Sequence, residues 1–181
     1  MQLLVIRHAV AHDPDPGVDP GVDPGLGPGR GPGRGPGHDD TARELTEAGK
    51  AKLRRAVRGL RALDVRLDRV LTSPWKRAAQ TARLLDPIAS GEPIATELLT
   101  QKPNAELLAL IAERQDPTAV VGHEPWLGEL AAWLAFGDSK HGDALRIKKS
   151  GVVWLEGTPI PGGMQLHALL PPKLLRALAG A

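Results

Sequence analysis

The sequence predicts an α/β protein, a three-layer α/β/α sandwich with a mostly parallel central sheet, folded as a single domain over residues 1–181. Three observations carry this. Short apolar runs of strand length, such as "LLVI" at 3–6 and "TAVV" at 118–121, are continuous, as in strands buried on both faces. Between them lie stretches of helical periodicity opened by capping residues, and strands alternating with helices build layered sandwiches. At 181 residues the chain suits one domain.

The elements follow in order. "QLLVIRH" opens the chain as a strand. Residues 13–38, "DPDPGVDPGVDPGLGPGRGPGRGPGH", hold nine of the 21 glycines and seven of the 17 prolines, a density that neither helix nor central strand survives. This is a Gly/Pro-rich loop insertion, too poor in apolar residues to be ordered by burial. A surface insertion of this kind costs little, and a flap in which Arg30 and Arg34 draw in a partner is the alternative reading.

Thr46 caps a helix running to about Ala62, with Leu53, Val57, Leu60 and Leu63 as its apolar stripe. "DRVLTS" is a second buried strand, and Ser73-Pro74 reads as a helix opening with Ser73 as cap and proline in first position. "EPIATELL" reads as a strand, and Asn104 opens the helix "NAELLALIAER". "TAVVGH" is a strand and Pro125 opens "PWLGELAAWLAF". "LRIKKSGVVWLEG" and "GMQLHALL" alternate more loosely, as an antiparallel edge pair, and "PPKLLRALAG" closes the chain.

Composition removes several function classes. Without cysteine there is no disulfide, thiolate catalysis or cysteine-based zinc site. No apolar stretch nears the roughly 18 residues of a membrane span, and Met1 runs straight into strand-like sequence. No membrane partner and a cytoplasmic location are the expectations. Nucleic acid is not expected either, since the net charge is only +2. The bases Lys50, Lys52, Arg54, Arg55, Arg58 and Arg61 form the wet face of the first helix, with no aromatic residues between them for base stacking.

Three strand ends carry chemistry that a core has no use for, because an unpaired buried charge costs several kcal/mol. The first strand runs into Arg7-His8, the second precedes a helix bearing Arg77, and "TAVVGH" ends in His123. In a parallel sheet these ends share the edge where open α/β sheets bind ligands. Helical side chains lean toward the helix N-terminus, so Arg77 points at the same edge. Two arginines, two histidines and two helix starts then converge on an anion, and phosphate suits guanidinium forks best. Taken singly, each residue has an ordinary reading, as a surface arginine or a hydrogen-bonded histidine. The joint placement is what points to a site. "HDPD" at 12–15 and "HDD" at 38–40 read as solvated turn residues, which leaves no carboxylate cluster for a metal.

"RHA" at 7–9, "TARELTEAG" at 41–49, "TSPWKRAAQTA" at 72–82 and "VVGHEP" at 120–125 resemble, in order and spacing, the motifs of the histidine phosphatase superfamily. The short core resembles its compact SixA-type phosphohistidine phosphatase branch. The resemblance implies that His8 is a nucleophile that becomes phosphorylated, while Arg7, Arg77 and His123, with His123 protonated, hold the phosphoryl oxygens. It implies a phosphatase without metal or other cofactor, acting on a phosphorylated protein through phosphohistidine. Hydrolysis of small phosphate esters or phosphoanhydrides is the alternative, followed by a non-catalytic phosphate-binding module. The chain departs from the family in two places. Ala9 replaces a glycine, and the glutamate-rich motif of other branches is missing, which leaves Glu97 as the carboxylate to consider as proton donor.

Overall fold

Successive side chains of a strand leave the sheet on opposite faces, and this chain uses both. In a computed structural model, which describes residues 1–13 and 39–180, Leu4 and Ile6 enter one apolar core while Leu3 and Val5 enter another. The strand they belong to, β1 (Gln2–Arg7), sits within a six-stranded sheet with β2 (Arg69–Thr72), β3 (Ile94–Ala95), β4 (Thr118–Gly122), β5 (Val152–Gly157) and β6 (Met164–Leu170). Their spatial order is β3-β2-β4-β1-β5-β6. β1 to β4 run parallel, and β5 and β6 add an antiparallel margin, so the layered α/β expectation holds.

Five α-helices cover the described sheet. Against one face pack α1 (Glu47–Ala62), α2 (Lys76–Arg83) and α5 (Pro172–Leu178), through Leu53, Val57, Leu60, Ala78, Ala82 and Leu175. Against the other pack α3 (Ala105–Ala112) and α4 (Trp126–Phe136), through Leu107, Ile111, Leu127, Leu130 and Leu134. The expected caps are present, with Thr46 Oγ1 accepting from the Gly49 amide at 2.9 Å and Asn104 Oδ1 from the Leu107 amide at 2.9 Å. The basic residues of α1 from Lys52 to Arg61 are exposed, as its amphipathic pattern requires.

Three expectations need correction. Ser73 does not cap a helix: α2 begins at Lys76, after Trp75, and Ser73 Oγ is engaged elsewhere. The strand expected over "EPIATELL" shrinks to Ile94–Ala95, because β3 is an edge strand with only β2 to pair with, and the chain then turns through a 3-10 segment at Glu97–Leu99. The stretch beginning "LRIKKS" is not strand; a 3-10 segment spans Ser139–Leu145 and β5 starts only at Val152. The Gly/Pro-rich insertion, with Arg30 and Arg34, lies outside the described residues except for Asp13.

α1 and α5 approach so closely that an added Cβ at Gly59 would stand 1.9 Å from the Leu175 carbonyl oxygen. Helix propensity alone favours alanine over glycine by about 1 kcal/mol. The steric conflict is with backbone, which cannot swing aside, and overpacking costs about 1–3 kcal/mol or more. Gly59→Ala is therefore expected to lower stability in urea denaturation, and a variant more stable than wild type would refute this packing account.

Candidate active site

Register builds the site. β1 and β4 are adjacent and parallel, with Arg7 opposite Gly122, and the His8 amide donates to the Gly122 carbonyl at 3.1 Å. The residues that follow the two strands, His8 and His123, thereby come to lie abreast, with ring centroids 5.1 Å apart. β2 lies on the far side of β4, and the Ser73 amide donates to Val121 at 2.9 Å. Three carboxyl strand ends are thus contiguous, as the sequence predicts.

Both imidazoles are nearly sealed, His8 at 5% and His123 at 4% exposure. His8 Nδ1 lies 2.7 Å from the Ala9 carbonyl oxygen. A carbonyl can only accept, so Nδ1 carries the proton of a neutral ring and the lone pair is on Nε2. Ala9 replaces the motif glycine without strain: its φ is not positive, and its amide donates to Thr81 Oγ1 at 3.0 Å. On His123, Nε2 lies 3.0 Å from Ser73 Oγ; that hydroxyl accepts from the Trp75 amide at 3.3 Å and donates its own proton to Nε2, which leaves the ring proton on Nδ1, buried without a partner among the described residues. The Trp75 ring lies against His123 at 4.4 Å.

The two arginines reach the same place. Arg7, the last residue of β1, donates from Nη1 to the Ile147 carbonyl at 2.9 Å. Arg77, the second residue of α2, lies over the Trp75 ring at 4.7 Å and grips Asp40, donating to its carbonyl at 2.5 Å and its carboxylate at 2.8 Å. Among the described residues, the Nε atoms of both arginines are buried without a hydrogen-bond partner. Glu97 stands apart from this arrangement, exposed on the turn after β3 with Thr100 Oγ1 3.4 Å from its carboxylate.

Electrostatics follows from burial amid cations. Desolvation first, then Arg77, Arg7 and Lys149, push His8 down to about 3; its bond to Ala9 opposes this. Desolvation first, then His8 and the arginines, push His123 down to about 2, against a weaker opposing pull from Asp40. His123 is therefore neutral here rather than protonated as expected from the sequence. A neutral His123 can offer an N–H, and the positive charge beside it is that of the arginines.

The structure also brings in residues that the sequence reading passes over. Asp40, read as a solvated turn residue, instead bridges Arg77 and Arg43, with Arg43 Nη1 at 2.7 Å. These bonds hold its carboxyl below the usual range despite desolvation. Glu124 accepts from the Ile147 amide at 2.5 Å and the Gly128 amide at 3.0 Å, and burial raises its pKa. It pins the backbone whose carbonyl holds Arg7. The motif "TARELTEAG" was the available signal for Asp40, one residue before it; Glu124 was signalled by lying between His123 and Pro125. Among the described residues, no group of three or more His, Asp or Glu side chains is arranged to hold a metal ion.

Comparison with known proteins agrees with this fold. Residues 28–102 match the family model described as histidine phosphatase superfamily, branch 1. An uncharacterized protein of Picosynechococcus is 36% identical over 124 residues, covering 65% of this chain and 73% of that relative. Among solved structures, the protein histidine phosphatase SixA complexed with tungstate superposes with a TM-score of 0.70 at 22% identity, over 97% of this chain and 99% of that one. The native mycobacterial glucosyl-3-phosphoglycerate phosphatase superposes at 0.61 with 16% identity, over 94% of this chain and 98% of that one.

The depressed imidazoles set a pH dependence. In the unfolded chain a histidine binds its proton near pH 6.5, but His8 and His123 in the fold do so only near 3 and 2. The unfolded state therefore takes up protons that the folded state refuses, and stability must fall as pH drops from about 6.5 toward 3. For each ring the slope approaches about 1.4 kcal/mol per pH unit. Urea melts between pH 6.5 and 5, where carboxylates titrate little, should show this slope, and His8→Asn or His123→Asn should each remove part of it. A flat profile in wild type would refute the assignment of buried neutral rings.

Proposed function

The chain belongs to the histidine phosphatase superfamily, and from that premise we propose that it is a metal-independent phosphatase that removes phosphoryl groups from phosphohistidine on proteins, through a phospho-His8 intermediate. The observation that carries the reading is that, among the described residues, Arg7 Nε, Arg77 Nε and His123 Nδ1 are buried without a partner, while both arginines act electrostatically on the adjacent His8 and His123 rings. Buried polar groups are nearly always satisfied, and those left over at a strand edge mark where a ligand's acceptors belong. Phosphoryl transfer asks mainly for positioning and charge stabilisation, which arginine forks provide.

His8 Nε2 attacks phosphorus in line, forming a P–N bond as the substrate's P–N bond breaks. The electron pair of that bond goes to the departing imidazole nitrogen; the ring leaves neutral because its other nitrogen already carries a proton. The same logic serves the second half. Phospho-His8 keeps its Nδ1 proton on the Ala9 carbonyl, so when water attacks phosphorus the P–Nε2 bond breaks and His8 is restored as a neutral ring. The water proton goes to the departing phosphate and solvent. Arg7 and Arg77 balance the charge on the equatorial oxygens, and His123 donates one N–H to them. No carboxylate acid is needed for this leaving group, in keeping with an exposed Glu97, an Asp40 held by two arginines and a Glu124 committed to two amides. The connection from β3 to α3, residues 96–104, is also too short to build a covering subdomain, which suits a substrate displayed on another protein.

Two measurements check the reading. Turnover on a phosphohistidine protein and on p-nitrophenyl phosphate should show the protein preferred, with an acid-labile, base-stable phosphoenzyme trapped in wild type. A preference for the small ester would move the substrate class to small phosphomonoesters. His8→Ala should abolish both turnover and trapping, and Arg77→Ala should cost about 10²–10³-fold in kcat. Full activity in His8→Ala, or activity lost to chelator and restored by one divalent metal, would overturn the mechanism.

A further inference from the structure

Beside His8 stands a cation that none of the motifs includes. Lys149 lies in the loop between the 3-10 segment and β5, and that loop is stitched to the nucleophile's strand. Ser150, held at a φ of 64°, donates its amide toward both the Arg7 carbonyl at 3.1 Å and the His8 carbonyl at 3.3 Å. Arg7 returns its own amide to the Gly151 carbonyl at 3.2 Å and its Nη1 to the Ile147 carbonyl at 2.9 Å. Backbone bonds on both sides therefore hold Lys149 next to His8.

Its side chain is half-buried, yet among the described residues the ammonium has no hydrogen bond and no ion pair. Burial, then Arg7, Arg43 and Arg77, lower its pKa, with only Asp13 acting the other way. The chain thus keeps a fourth cation among three arginines, although like charges repel in a partly desolvated site. Among the described residues only Asp13 gains from that ammonium. A dianion would gain as well.

We propose that Lys149 is a phosphoryl-binding residue of this site, its ammonium meeting the oxygens of the phosphoryl group at His8 and biasing the pocket toward dianionic tetrahedral oxyanions. This rests on the reading of the pocket as a phosphoryl site. Its signature is a change of sign. Removing an unpaired cation from a cluster of cations relieves repulsion in the free protein and weakens the complex, whereas removing a structural residue destabilises both.

The test compares wild type, Lys149→Met and Lys149→Arg by thermal melting with and without inorganic phosphate, and by calorimetric titration with phosphate. The expected result is that Lys149→Met melts at or above the wild-type temperature without phosphate. It should bind phosphate about ten-fold or more weakly, with a smaller phosphate-induced rise in Tm, and Lys149→Arg should recover most of the affinity. Wild-type affinity in Lys149→Met, or a lower melting temperature for it without phosphate, would overturn the proposal while leaving the phosphatase reading intact. Absence of phosphate binding by wild type would overturn both.

Discussion

The hydrogen bond from the His8 amide to the Gly122 carbonyl is where the architecture becomes chemistry. It extends the pairing of β1 with β4 by one residue beyond the strands, and so sets two imidazoles side by side at a depth where water is scarce. Everything distinctive about the site follows from that depth. Desolvation keeps the rings neutral, which leaves a lone pair on His8 and an N–H on His123, the two features the proposed mechanism uses. The same desolvation raises the cost of the nearby arginines, which the Ile147 carbonyl and Asp40 share between them. The two apolar cores on either side of the sheet hold the strands rigid enough for this crowding to persist.

Arg77 illustrates how many requirements one residue can meet. Its position near the start of α2 aims it at the strand edge, the Trp75 ring supports the face of the guanidinium, and Asp40 holds its outer nitrogens. Among the described residues that leaves its buried Nε without a partner. A lysine would retain the charge but neither the stacking plane nor the divided donor set.

What could be read from the sequence was local or periodic. The helix caps Thr46 and Asn104 act within three residues, and both stand where their side chains predict. Strand positions for His8 and His123 followed from apolar runs ending abruptly in polar chemistry. The misreadings concern partners far along the chain. Ser73 looks like a cap next to Pro74, yet its hydroxyl meets a histidine fifty residues on. Asp40 looks like a turn residue because Arg77, its partner, is thirty-seven residues away. Lys149 gives no local signal, since its neighbourhood exists only once Ser150 bridges back to β1. The brevity of β3 reflects its place at the margin of the sheet, and strand order is a property of the whole topology.

The sheet changes from parallel to antiparallel at β1, with β4 on one flank and β5 on the other. That seam is also the site. The turn that leads into β5 clasps Arg7 and His8 from one side while Gly122 holds His8 from the other. The antiparallel half of the sheet is therefore a buttress, joined to the proposed nucleophile through the backbone of the turn that enters β5. Sequence change in those outer strands reaches the chemistry through the backbone, by altering the angle at which the seam closes rather than the groups that line it.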